Sequence, residues 1–305
     1  MHQLADRHSL SILHRIQEYE SFLENIKTVC DMGCGTGEDI HWWATLENYD
    51  DPPEPYNFKC FAVDKDPGKL AQVPAHPNIV KVERDFTKQY ILPVKMDLMW
   101  AHDSLQYSTN PLETLKFWNE AMNVNAMLLI TVPQHTGVEY NKFTSRTHQG
   151  CFFQYTPASL IYMLAINGFD CNDAYLYKQY QDPWIQMAVY KSDIAPMDPV
   201  TTTWADLIEK NLLNPSVVRS VTNHGYIRQE EILYPWLDKE NYFIDWVPQY
   251  TVIPEEAGEP IETGIFNTTT ASDKQSLVQA DPKTKVTNKV KPVGIMRPPK
   301  QSYKT

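Results

Sequence analysis

Residues 29–37, VCDMGCGTG, give the clearest indication of the fold class. This stretch begins as a short apolar strand and ends in a turn with glycine at alternate positions, Gly33, Gly35 and Gly37. The 305 residues include only 11 glycines, so this clustering indicates a turn whose backbone approaches another group closely. A helical pattern follows over 38–47, and strand, glycine turn and helix in this order are typical of a nucleotide-binding turn.

The segments that follow alternate between strand and helix patterns. Apolar strands are predicted at 58–63, 78–83, 96–101 and 126–132, and helices at 111–124 and 157–167. This alternation predicts an α/β fold with a doubly wound, mostly parallel sheet. Two further strands, 170–180 and 184–192, flank a Gln-Asp-Pro turn and predict a hairpin that puts an antiparallel strand at the sheet edge.

The two ends of the chain differ from this middle part. Apolar positions at helical spacing predict an amphipathic helix over 9–26. After the predicted sheet domain, 1–195, the aromatic segment 196–250 is expected to form a mixed, helical appendage. Residues 251–305 are rich in Thr, Pro and Lys and contain no Trp, so we expect a largely disordered tail.

Composition limits the partners and the compartment. The net charge of −11 argues against a broad nucleic-acid interface, which needs a basic face. The longest apolar run, 126–132, is far shorter than the roughly 20 residues that span a membrane, and the first residues do not resemble a signal peptide. The five cysteines form no CxxC pair. We therefore expect free thiols, no metal site and a cytoplasmic location.

The spacing of the glycine turn separates two classes of cofactor. A dinucleotide fingerprint, GxGxxG, would need glycine where Glu38 stands, so the turn disfavours NAD and FAD. The pattern GxGxG with Asp31 two residues before it resembles the first motif of the class I S-adenosylmethionine-dependent methyltransferases. Three later segments resemble further motifs of that family: FAVD at 61–64, ERDF at 83–86 and MDLMWAHDSL at 96–105. The resemblance covers about residues 8–192, and it departs from the family pattern at 123–126.

The resemblance implies a seven-stranded Rossmann-like sheet that binds S-adenosyl-L-methionine. Asp64 would accept hydrogen bonds from the ribose hydroxyls, Asp85 would contact the adenine amine, and Phe86 would pack beside the ring. The glycine turn would surround the methionine part, with Asp31 orienting the turn or meeting the ammonium group. The expected cofactor-binding residues are Asp31, Gly33, Cys34, Gly35, Gly37, Asp64, Lys65, Asp85, Phe86, Ala101 and His102.

The acceptor side is less constrained by the sequence. The sulfonium is already a strong methyl donor, so the enzyme mainly has to align an acceptor, exclude water and, for a hydroxyl or protonated amine, supply a base. His102 and Asp103 follow the fourth strand, and the long segment 134–155 is expected to cover the acceptor site. The catalytic candidates are His148, His102 and Tyr140, with His135 and Tyr155 as further polar positions.

These observations favour methyl transfer to a small-molecule acceptor. Two alternatives stay open at this point. One is aminopropyl transfer from a decarboxylated cofactor on the same scaffold. The other is a degenerate methyltransferase domain that acts as a binding or assembly module, with a protein partner bound through residues 196–305.

Overall fold

The strand that leads into the glycine turn lies inside a seven-stranded sheet. The computed structural model describes residues 23–48, 50, 52–89, 92–134, 152–177 and 184–234. Its strands are β1 (Thr28–Met32), β2 (Lys59–Asp64), β3 (Ile79–Glu83), β4 (Met96–His102), β5 (Met122–Pro133), β6 (Phe169–Tyr177) and β7 (Trp184–Lys191). Their order across the sheet is β3-β2-β1-β4-β5-β7-β6. Strands β1 to β5 pair in parallel, and β7 is antiparallel to both its neighbours.

Helices cover both faces of this sheet. They are α1 (Glu38–Ala44), α2 (Pro67–Gln72), α3 (Pro111–Ala121), α4 (Pro157–Ile166), α5 (Trp204–Glu209) and α6 (Pro215–His224), with 3-10 turns at Leu105–Tyr107 and Gln229–Glu231. One hydrophobic cluster packs α1 and α2 against one face, and a larger one packs α3 to α6 against the other. The predicted fold class, a doubly wound and mostly parallel seven-stranded sheet, is confirmed.

Residues 196–234 share the larger hydrophobic cluster with the sheet. Leu207, Val217 and Val221 are buried there, and the hydroxyl of Tyr234 donates to the Cys171 carbonyl over 2.8 Å. The described part of the predicted appendage is therefore helical and packed on the sheet. The predicted tail, 251–305, lies outside the described residues, as does the predicted N-terminal helix except for its last residues, where Leu23 and Ile26 are buried.

Three predicted elements differ from the structure. The helix predicted over 38–47 ends at Ala44, because the Thr45 backbone and hydroxyl close its last turn. The helix predicted over 111–124 ends at Ala121, and β5 begins at Met122 instead of 126. A bulge explains that difference: the pairing of β5 with β4 shifts between Met96 and Leu98, and Asn125 adopts a positive φ of 63°.

The hairpin also differs in its placement. Strands β6 and β7 form close to the predicted ranges, but the antiparallel strand β7 lies between β5 and β6, so β6 is the edge. Helix α2 was not predicted. Its signal was present, since Asp66 caps the helix by accepting from the Gly68 and Lys69 amides, and Pro67 occupies its first turn.

Candidate functional site

The glycine turn is held in place by the neighbouring strand. The backbone amides of Gly33 and Cys34 both donate to the carbonyl of Val63, at 2.8 and 3.0 Å. All three glycines adopt positive φ angles, 82°, 56° and 80° along the turn, which other residues adopt only at a cost. The turn therefore needs glycine for its own conformation at each position.

The surroundings of the three glycines differ. A Cβ atom on Gly33 would lie 2.9 Å from Cβ of Ser104, and one on Gly37 would lie 2.7 Å from the Val73 side chain. These two glycines let the turn approach β4 and α2. A Cβ atom on Gly35 would meet nothing within 4 Å, so at this position the backbone faces open space in the site.

Asp64 connects β2 to the glycine turn. One carboxylate oxygen accepts from the Gly35 amide at 3.0 Å, and the other accepts from the Asp66 amide at 2.9 Å. The residue is 6% exposed and ends β2, as the sequence predicted. Each carboxylate oxygen can accept a second hydrogen bond, so Asp64 can bind a ligand hydroxyl and still hold the turn.

The segment after β3 forms the next part of the wall. The Asp85 carboxylate accepts from the amide and hydroxyl of Thr87, at 3.0 and 2.7 Å. Phe86 is buried, its carbonyl accepts from the Trp118 indole at 2.9 Å, and its ring lies against Gly33. The aromatic ring is thus fixed beside the glycine turn.

A buried acid, Asp39, and a half-buried one, Asp103, lie near the carboxyl end of β4. Asp39, in the first turn of α1, accepts from the Trp100 indole at 3.0 Å and lies 3.5 Å from Nδ1 of His102. Asp103 follows β4 with a φ of 57°, and its carboxylate accepts from Nε2 of Gln106. Burial raises the pKa of Asp103 to about 7, although the hydrogen bond from Gln106 acts in the opposite direction.

Cys34 lies in the turn as a thiol and not as a nucleophile. Burial, with the nearby charges of Asp31 and Asp64, raises the pKa of Cys34 far above its ordinary value, so the reactive thiolate is not formed near neutral pH. Cys30, Cys34, Cys60 and Cys171 are free and buried. The predicted free thiols are confirmed for these four, and Cys151 lies outside the described residues.

These residues surround one cavity of about 900 Å³. That volume falls within the range of small-molecule and cofactor sites. Among the expected cofactor-binding residues, those that line it are Asp31, Gly33, Cys34, Gly35, Asp64, Lys65, Asp85, Phe86 and His102. Gly37 and Ala101 are next in sequence to the lining residues Thr36 and His102 but do not line the cavity themselves. The structure thus brings together segments that are about 70 residues apart in the chain.

The catalytic candidates have different outcomes. His102 lines the cavity, whereas Tyr140 and His148 lie outside the described residues, as does His135. Tyr155 is buried, and its hydroxyl donates to the Leu105 carbonyl at 3.3 Å, which gives it a structural position. The described residues contain no group of three His, Cys, Asp or Glu side chains arranged to hold a metal ion. None of the described helices has the length and hydrophobicity of a membrane-spanning helix.

Several lining residues were not expected from the sequence: Thr36, Asp39, Lys69, Thr87, Lys88, Ser104, Tyr107, Thr109 and Phe152. The place of Asp39 could have been predicted from the sequence, because an acid in the first turn of the helix that follows the glycines must lie near the same edge of the sheet. Phe152 has none, since its place depends on a tertiary hydrogen bond from its amide to the Gln106 carbonyl, at 2.8 Å.

Comparison with known proteins gives matches among solved structures alone. No protein-family model matches the chain, and no curated protein sequence matches it. An S-adenosylmethionine-dependent methyltransferase from Mesorhizobium loti is 10% identical, with 57% of this chain and 97% of that chain covered and a TM-score of 0.43. Magnesium protoporphyrin IX methyltransferase from Synechocystis, with bound S-adenosylhomocysteine, is 14% identical, with coverages of 60% and 82% and a TM-score of 0.44.

A third structure is phosphoethanolamine N-methyltransferase 2 from Haemonchus contortus. It is 13% identical, with 58% of this chain and 52% of that chain covered and a TM-score of 0.45. At these identities and scores the similarity does not bear on activity.

Proposed function

We propose that the chain binds S-adenosyl-L-methionine in the 900 Å³ cavity and transfers its methyl group to a small-molecule acceptor. The observation that carries this proposal is the shared wall formed by the glycine turn, Asp64 and the Asp85–Phe86 segment. The three come from the carboxyl ends of β1, β2 and β3, which is where α/β sheets bind their ligands.

Each half of the cofactor has a matching surface in this cavity. Asp64 accepts hydrogen bonds from the ribose hydroxyls, and Phe86 offers a fixed ring beside the adenine. Gly35 leaves room for the methionine part. Asp31 and Asp39 line the glycine-turn end, so this end suits the methionine ammonium.

When bound, the cofactor supplies the methyl group through its sulfonium centre. The residues of the chain then have to hold the acceptor in line with that group and exclude water. Tyr107, Thr109 and Phe152 line the cavity beyond the end of β4 and are among the described residues available for contact with the acceptor.

The test is calorimetric titration of S-adenosylhomocysteine into two variants of neighbouring carboxylates. Asp64→Ala removes charge-assisted hydrogen bonds to the ribose, worth about 1.5–3 kcal/mol each, and affinity should fall at least tenfold. Asp66→Ala removes the cap of α2 and should lower stability by about 0.5–2 kcal/mol without changing affinity, because Asp66 does not line the cavity. Equal affinities in the two folded variants would disprove the ribose assignment.

The cofactor preference separates methyl transfer from its rivals. S-adenosylmethionine should bind more tightly than its decarboxylated form, and a labelled methyl group should appear in a product from metabolite extracts. Preference for the decarboxylated cofactor would indicate aminopropyl transfer. Binding without transfer to any extract would favour a binding module.

A further inference from the structure

The carboxyl end of β4 presents two consecutive polar side chains to the cavity. Asp103 and Ser104 both line it. Asp103 has a left-handed backbone, with a φ of 57°, which Asp and Asn adopt more readily than other residues except glycine. The neighbouring bond from the Asp103 amide to the Thr131 carbonyl, at 3.0 Å, fixes this turn to β5.

The Asp103 carboxylate is held by a fully buried amide. Nε2 of Gln106 donates to it, and the Gln106 side chain is itself 0% exposed. The Gln106 carbonyl accepts from the Phe152 amide at 2.8 Å, so the same residue joins the turn to the segment on the other side of the cavity. The hydrogen bond from Gln106 therefore orients the Asp103 carboxylate.

Ser104 places this pair against the glycine turn. A Cβ atom added to Gly33 would lie only 2.9 Å from the Cβ atom of Ser104. Ser104 is 2% exposed. Its hydroxyl makes no hydrogen bond to any of the residues that the structure describes. A buried hydroxyl without a protein partner in a cavity wall is suited to a ligand group.

We propose that Asp103 takes the proton from an O–H or N–H group of the acceptor during methyl transfer, with the Ser104 hydroxyl orienting the reacting atom. The inference rests on the proposed function and extends it to the substrate class. The acceptor atom's lone pair forms the bond to the methyl carbon, and the carbon–sulfur bond breaks with its electron pair kept by sulfur. The proton of the acceptor passes to Asp103, which becomes a carboxylic acid.

The charges around Asp103 agree with this role. Its pKa of about 7 keeps both forms populated near neutral pH, as a general base requires. The other titratable groups at this end of the cavity are His102, Asp31, Asp39 and Tyr107, while the lysines Lys65, Lys69 and Lys88 follow β2 and β3. An excess of acids at the β4 end suits a neutral or cationic acceptor.

The test needs no knowledge of the acceptor. Sinefungin is a cofactor analogue that carries an amine-bearing carbon in place of the methylsulfonium, so it puts an ammonium group where the methyl group is transferred. We compare its affinity with that of S-adenosylhomocysteine by calorimetry, using the full chain, from pH 5.5 to pH 8. In the ratio of the two affinities, the contributions of contacts that both ligands make cancel.

In the wild-type protein the ratio should rise about tenfold in favour of sinefungin as Asp103 ionises. The rise should vanish in Asp103→Asn and persist in Glu209→Gln, which removes the same charge from an exposed position on α5 outside the cavity. A flat ratio in the wild type overturns the proposal without requiring any variant to fold.

Two other results would also overturn it. A rise that survives in Asp103→Asn would show that another group titrates and that Asp103 does not interact with the ammonium. If neither ligand binds the wild-type protein, the proposed function fails and the role of Asp103 fails with it. If both ligands bind but the ratio of their affinities does not rise with pH as expected, only the role of Asp103 is contradicted. Failure of the proposed function and failure of the Asp103 proposal therefore give different results.

Discussion

Asp103 combines a left-handed backbone with a charge that its surroundings disfavour. Its carboxyl has an ordinary pKa of about 3.9 in an unfolded chain, and burial raises it to about 7 in the folded protein. Between these values the folded state keeps a proton that the unfolded state has lost. The contribution of Asp103 to stability therefore falls as pH rises from about 4 to about 7 and stays low above that range.

Asp103→Asn should for this reason stabilise the ligand-free protein in a pH-dependent way. Asparagine cannot ionise, and it tolerates the left-handed backbone. We expect the gain in free energy of unfolding to be about 2–4 kcal/mol larger at pH 8 than at pH 4. Urea unfolding at the two pH values measures it, with Glu209→Gln as the control. An equal effect at both values would show that Asp103 ionises normally.

Gly35→Ala tests whether the glycine turn is open for a ligand. The φ of 56° makes alanine cost about 1–2 kcal/mol in stability, and no protein atom would clash with the new methyl group. Gly225→Ala is the matched control, because Gly225 has a φ of 77°, meets nothing within 4 Å and ends α6 outside the cavity. Thermal unfolding should give similar losses for both.

The two glycine variants should differ in ligand binding. Gly35→Ala should weaken S-adenosylhomocysteine by at least tenfold, since the methyl group occupies the space of the methionine part, whereas Gly225→Ala should bind as the wild type does. Unchanged affinity in Gly35→Ala would place the ligand away from this turn.

At the level of elements, Lys191 of β7 connects the sheet to the end of a helix. Its ammonium group donates to the carbonyls of Asn119 and Met122, at 2.6 and 2.9 Å, where α3 ends. Burial lowers the pKa of Lys191, and the charge of Lys95 lowers it further. A cation at a helix C-terminus satisfies the last carbonyls and is favoured by the helix dipole.

Lys191→Met should therefore destabilise the protein. We expect a loss of about 2 kcal/mol in urea unfolding, because two buried carbonyls lose a charged donor. Lys116→Met, on the exposed side of α3, removes the same charge and should change stability by less than about 0.5 kcal/mol. A loss of similar size in both variants would mean that net charge, and not the helix end, is responsible.

The elements also show what the sequence could and could not predict. Strands β2 and β4 contain buried apolar runs, and β3 has apolar residues at Ile79, Val80 and Val82, so the positions of these strands and the acids at or just after their ends could be predicted from the pattern. The start of β5 could not, because the segment 122–125 pairs only through a bulge, in which Asn123 donates to Asp97 at 2.8 Å. The contact between Phe152 and Gln106 also had no local signal, since it joins segments that are far apart in the chain.

At the scale of the whole molecule, the hydrophobic core extends beyond the sheet domain expected from the sequence. Ile232 and Tyr234 belong to the larger cluster, and all described residues fall within the compact unit Met1–Val252. Helices α5 and α6 therefore contribute to the stability of the sheet that positions the cavity.

Two truncations test this distribution of stability. A chain that ends at residue 252 should keep the melting temperature and the cofactor affinity of the full chain. A chain that ends at residue 214 loses buried side chains of α6 and the segment after it, among them Val217 and Ile232, and should unfold at a temperature at least 10 °C lower or fail to fold. A large loss in the first truncation would show that residues 253–305 stabilise the fold.

A crystal structure of the full chain with S-adenosylhomocysteine tests the central claim most directly. We expect one ligand in the 900 Å³ cavity, with its ribose hydroxyls on Asp64, its adenine beside Phe86 and its sulfur facing the end of β4 near Asp103. A ligand bound elsewhere, or crystals grown with excess ligand that leave this cavity empty, would contradict it.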